Sequence, residues 1–229
     1  DIVGDFIGNY VFGSNSSAYG GAIYNWGTIG DITGDFIGTY VSGVSYAYES
    51  AIYNYRDSTI IGNITGDFIG NYASATGSTY AYGGAIYNFY GIIGDITGDF
   101  IGNYATSITA SYADGGAIYN DDGTIGDIIG DFIGNYAFGS DSSAEGGAIY
   151  NSGTIGDITG DFIGNYAFSP VSSTFQHSVI GGAVCNYGTL GDITGDFIEN
   201  YTSGSSYAHG GAIYNGGTIG DITGDFIGN

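Results

Sequence analysis

Apolar positions along this chain come in short runs, two or three residues at a time, cut by glycine, aspartate or asparagine. The stretch Gly30-Asp31-Ile32-Thr33-Gly34-Asp35-Phe36-Ile37-Gly38 recurs with small changes from one end of the chain to the other. A helix needs about 10 residues of compatible backbone, and glycine this frequent removes that. β-Branched and aromatic runs bounded by glycine and asparagine instead predict short strands joined by tight corners. In the first full unit the strands are expected around Ala22 to Asn25, Ile29 to Thr33 and Asp35 to Tyr40.

The repeat sets the architecture. The string G-D-F-I-G-N carries Phe6, Phe36, Phe68, Phe100, Phe132, Phe162, Phe197 and Phe226, spaced 29–35 residues apart. A second string, G-G-A-I-Y-N, carries Asn25, Asn54, Asn88, Asn120, Asn151, Asn186 and Asn215. Between the glycine pair and the end of F-I-G-N lies a block of 20 to 23 residues, whereas the segment from there to the next pair varies from 9 to 15. A constant block with a variable loop is the pattern of a solenoid, whose coil keeps its length while one corner bulges. A propeller blade would need about 40 residues or more, and a leucine-rich repeat would need leucine, of which Leu190 is the sole example. The expectation is an all-β parallel β-solenoid of about seven coils, three strands per coil, with residues 1–229 forming a single repeat domain. Seven coils make a rod roughly 34 Å long at the usual strand spacing.

Stacking turns each repeated position into a ladder with about 4.8 Å between rungs. Ile23, Ile52, Ile86, Ile118, Ile149, Val184 and Ile213 form an aliphatic column expected inside, as does the phenylalanine column. The seven asparagines share the isoleucines' parity, so they are expected to point inward at a corner and bond amide to amide along the rod. Tyr24, Tyr53, Tyr87, Tyr119, Tyr150 and Tyr214 have the opposite parity and are expected to face solvent, with Cys185 in the tyrosine's place as a small apolar substitute. A second column, Tyr10, Tyr40, Tyr72, Tyr104, Tyr136, Tyr166 and Tyr201, stands at the mouth of the variable loop. Such stripes bind sugar rings or another protein, or else cover one another.

Charge narrows the classes of function. The 229 residues hold 23 carboxylates against one basic side chain, Arg56, for a net charge of -22. Nucleic-acid binding by phosphate neutralisation is excluded, since it needs clustered Lys and Arg. No apolar run approaches the roughly 18 residues of a membrane span. Two acidic columns stand out: Asp5, Asp35, Asp67, Asp99, Asp131, Asp161, Asp196 and Asp225, then Asp1, Asp31, Asp95, Asp127, Asp157, Asp192 and Asp221, with Asn63 breaking the second. Rows of charge at this spacing repel by nearly 1 kcal/mol per neighbour even in water. If the glycine between the paired aspartates makes a bend, both rows could share Ca²⁺ through oxygen ligands; the alternative is a solvated acidic face. Catalysis finds little support, because His177 and His209 lie in variable loops of separate coils, and Arg56 beside Asp57 reads as a local ion pair.

Gly20-Gly21-Ala22-Ile23 followed by Phe36-Ile37-Gly38, and Gly83 to Ile86 followed by Phe100 to Asn103, resemble the GGAI and FxxN motifs of the polymorphic outer membrane proteins, a family of bacterial autotransporter passengers. The resemblance implies a right-handed β-helix displayed at the cell surface and engaged in adhesion to host cells. The chain departs from it at Thr39, at Glu49-Ser50 in place of the glycine pair, and in having only one cysteine. Its first and last units share one phase of the repeat, which suggests either a longer array or end-to-end homopolymerisation by β-augmentation. The expected function is a non-catalytic structural and adhesive extracellular rod. A self-assembling filament subunit is one alternative, and a Ca²⁺- or glycan-binding module using the Asp and Tyr ladders is another.

Overall fold

The computed structural model describes residues 1–14, 18–44, 47–48, 51–77, 80–108, 112–140, 142–170 and 178–229. Glu49, Ser50 and His177 lie outside the described residues. The chain is a parallel β-solenoid: six sheets run along the rod, two of eight strands and four of seven, each strand pairing with its counterparts one coil before and after. One coil reads Ile52–Tyr55, Ile60–Ile61, Ile64–Thr65, Phe68–Ile69, Tyr72–Ala75 and Ala81–Tyr82. Of the three expected stretches the first remains one strand and the other two are each split at a corner, while a sixth strand, such as Ala47–Tyr48, falls in the variable segment where none was expected. Gly66 (φ 151°) separates Ile64–Thr65 from Phe68–Ile69, and a Cβ there would overlap the Gly34 carbonyl of the neighbouring coil.

Register is held residue for residue, with Ile on Ile, Phe on Phe and Asn on Asn. The phenylalanine rings stack face to face, as in Phe68 on Phe100 at 4.8 Å between centroids with planes 1° apart. Phe36 is fully buried and Ile37 is only half-buried, so the bend at Gly34 leaves phenylalanine facing in. The isoleucine and phenylalanine columns, with Ala51, Ala85, Ala117 and Ala148, make one continuous core along the rod.

The variable side of each coil forms a second, thinner lobe. Strands such as Tyr72–Ala75 and Ala81–Tyr82 face each other across alanines, with Ala73, Ala75, Ala81 and Ala105 fully buried. A glycine-pinched waist divides the lobes. Gly84, Gly116, Gly147 and Gly182, each the second glycine of its pair, pack against the backbone of the tyrosine that opens the loop, so that a Cβ on Gly116 would fall 2.6 Å from the Tyr136 carbonyl. At these four positions the absence of a side chain lets the outgoing and returning chain touch.

Candidate functional site

The aspartate ladders have a structural use. In each, one carboxylate oxygen accepts the backbone N–H of the same position in the adjacent coil: Asp67 N–H donates to Asp35 Oδ1, Asp99 to Asp67 and Asp131 to Asp99, at 2.8–2.9 Å. The second acidic column works alike, from Asp31 N–H to Asp1 Oδ1 and onward through Asp127, Asp157, Asp192 and Asp221. Asn63 fits without a break because an amide carbonyl accepts as a carboxylate does: it takes the Asp95 N–H at 3.0 Å. Among the described residues no three His, Cys, Asp or Glu side chains gather as a metal would require.

The asparagine ladder runs inside, as the parity argument expects. Asn54 Nδ2 donates to Asn88 Oδ1 and to the Ile92 carbonyl, and Asn88 Nδ2 donates to Asn120 Oδ1. A second inward ladder escaped the sequence reading. Asn71, Asn103, Asn135, Asn165 and Asn200 from the F-I-G-N string are fully buried. Asn103 Oδ1 accepts both the N–H and the Nδ2 of Asn71, while Asn103 Nδ2 donates to the Phe68 carbonyl. The recurrence of that asparagine was visible, but its inward placement depends on the positive φ of the glycine before it, 61° at Gly102. Thr39 occupies this ladder in one coil, and its buried Oγ1 has no partner.

The tyrosines next to the isoleucine column lie outside the coil, and Tyr24 faces solvent as expected, but Tyr150 and Tyr214 are half-buried and the three in the middle of the column are covered. Tyr53, Tyr87 and Tyr119 are only 3–7% exposed. The cause is the waist, which turns the outer faces of two sheets toward each other, so that tyrosines from the loop lobe cover those of the main coil. Tyr48 and Tyr53 lie 6.3 Å apart, and Tyr82 stacks on Tyr119 at 4.3 Å. The result is an aromatic groove of about 600 Å³ along the rod, with Trp26 at one end and Asp121 at the other. Arg56 extends its guanidinium over the Trp26 ring at 5.4 Å, and among the described residues it forms no ion pair with Asp57. The column Tyr40 to Tyr166 at the loop mouth forms a separate, half-buried stack, with Tyr104 pushed up to about 12 by burial and by its tyrosine neighbours.

Further along, carboxylates replace tyrosines in the groove's wall. The register Tyr82, Asp114, Glu145, Ile180, His209 brings Asp114 and Glu145 onto adjacent rungs. Burial, and then the Glu145 charge, raise the Asp114 carboxyl well above the ordinary range. Burial pushes Glu145 up to about 7, against the donors Cys185 and Tyr187 that favour its charged form. Cys185 is buried beside it, its thiol 3.8 Å from Glu145 Oε2, and burial raises that thiol as well. Both acids directly precede a glycine pair, where Tyr19 and Tyr82 stand in other coils, so the repeat aligns them without marking the position as facing tyrosines. Comparison with protein-family profiles, with curated proteins and with solved structures finds no match for the chain.

Proposed function

We propose that the chain is the structural and adhesive rod of an extracellular bacterial surface protein or fibre, with the aromatic groove as its contact surface. The observation that carries this reading is the groove itself. The isoleucine, phenylalanine, asparagine and aspartate ladders are consumed in holding the coil, whereas the groove gathers eleven aromatic side chains on the outside, an arrangement suited to sugar rings or to another protein's surface. A solenoid whose rungs repeat in register is also suited to holding such a surface rigidly over its whole length. The near absence of Lys and Arg removes tryptic sites, in keeping with an exposed location. The fitting partner is a neutral or basic one, a host-surface glycan or protein, since the net charge of -22 repels anions.

The test is attachment of inert beads carrying the chain to cultured epithelial layers. Trp26 is 60% exposed at the groove's end, so Trp26→Ala should lower attachment several-fold without changing the melting temperature. Attachment no greater than that of bare beads would overturn the adhesive reading.

A further inference from the structure

The acidic stretch of the groove lacks something that its chemistry requires. Asp114 is only 4% exposed, and its Oδ1 has no hydrogen-bond partner. A buried carboxyl oxygen without a donor is costly, and native structures rarely leave one. Asp114 lines a cavity of about 420 Å³ together with Glu145 and the rings of Tyr82, Tyr112, Tyr119, Tyr150 and Tyr187. No Lys or Arg neutralises it, since Arg56 is the chain's only one and lies over Trp26. Tyrosine faces carry negative potential, and several of them around carboxylates form the surroundings in which organic ammonium ions are held. A metal ion fits less well, for want of a third ligand among the described residues.

We infer that the cavity between Asp114, Glu145 and the five tyrosines is a recognition site for an organic ammonium group, which donates to Asp114 Oδ1 and Glu145 and lies against the tyrosine rings. A partner's lysine side chain and a free polyamine share this chemistry. The inference rests on the groove being a contact surface, and it places the basic determinant of the partner at this point of it.

The experiment titrates the intact chain with Nα-acetyl-lysine methylamide and, separately, with spermidine, following the ligand's proton resonances and the heat of binding. Saturable binding is expected, with the methylene protons beside the ammonium moved upfield by the ring faces. Glu145→Gln should weaken it at least about tenfold. Asp99→Asn removes the same charge from a ladder outside the groove and should leave it unchanged. Asp114→Asn should abolish the binding; if that variant fails to fold, the ring-current shift on the unaltered chain still decides. Preference for the lysine derivative assigns the site to a partner protein, and preference for spermidine assigns it to a free polyamine. Lack of saturation, absence of the upfield shift, or equal weakening by Asp99→Asn would overturn the site. Bead attachment that survives Glu145→Gln and excess lysine derivative would remove this site from adhesion while leaving the adhesive rod intact.

Discussion

At the scale of single residues, the chain is governed by what one oxygen or one amide does along a ladder. Thr39 interrupts the inner asparagine ladder and leaves its own hydroxyl without a partner. Thr39→Asn restores a donor to the carbonyl that its counterparts bond, as Asn71 Nδ2 does for Phe36 at 2.8 Å. We expect a higher melting temperature, by an increment equivalent to about 1 kcal/mol. Asn103→Ala does the reverse, stranding the Asn71 N–H and the Phe68 carbonyl and removing one of the two bonds of Asn71 Nδ2, and should cost about 3 kcal/mol or more in denaturant unfolding. The acidic ladders give a sharper discrimination. If their oxygens serve as acceptors for backbone N–H groups, Asp99→Asn keeps the bond from Asp131 N–H and relieves repulsion, whereas Asp99→Ala destabilises. Ca²⁺ held by these rows would give the opposite result for Asp99→Asn, together with a melting temperature lowered by chelator; we expect no chelator effect.

Among elements, the waist decides most. Two glycines from different coil positions separate two costs that are usually entangled. Gly116→Ala drives a methyl into the Tyr136 and Gly147 backbones, which cannot retreat without separating the lobes. Gly134→Ala meets nothing within 4 Å and suffers only from its φ of 61°, a penalty of about 1–2 kcal/mol. Thermal melts should therefore show a modest loss for Gly134→Ala and a collapse of the cooperative transition for Gly116→Ala. The strand count belongs at this scale too. Short apolar runs identified strands and their parallel stacking, but not the six corners of the coil, because a glycine inside a run reads the same whether it lies flat or turns. Only the positive φ at Gly34 and its equivalents, forced by carbonyls of the neighbouring coil, makes the distinction.

For the whole molecule, charge and proton binding set the conditions under which the rod is stable. A net charge of -22 on one slender rod means that added salt should raise the melting temperature by screening. Glu145 adds a pH dependence of defined sign. It faces Asp114, Cys185, Tyr150 and Tyr187, and burial raises it from the usual 4.5 to about 7. The folded chain therefore keeps a proton that the unfolded chain releases, so this contribution is complete below about pH 4.5 and is lost as pH rises to about 7. Asp114 shifts in the same direction. Melting temperatures across that interval should fall with rising pH, and Glu145→Gln should flatten the slope; an unchanged slope would refute the assignment.

The period of the repeat, the inward isoleucine and phenylalanine columns and the first asparagine ladder were all legible in the sequence. They are set by side-chain parity and by the identity of stacked rungs, both local properties that each unit states for itself. The groove was not legible. Tyr53 and Tyr87 have the parity of exposed residues, and they are covered only because the glycine waist swings a second sheet across them. Asp114 and Glu145 each directly precede a glycine pair, so their shared column could be aligned from the repeat, but their place among the tyrosines depends on the sheet that the waist brings across. Sequence alone determined the coil, through repetition and burial of apolar columns. The tertiary structure decided which outer faces turn toward each other, because that angle arises from close backbone contact at the waist and from no side chain's own preference.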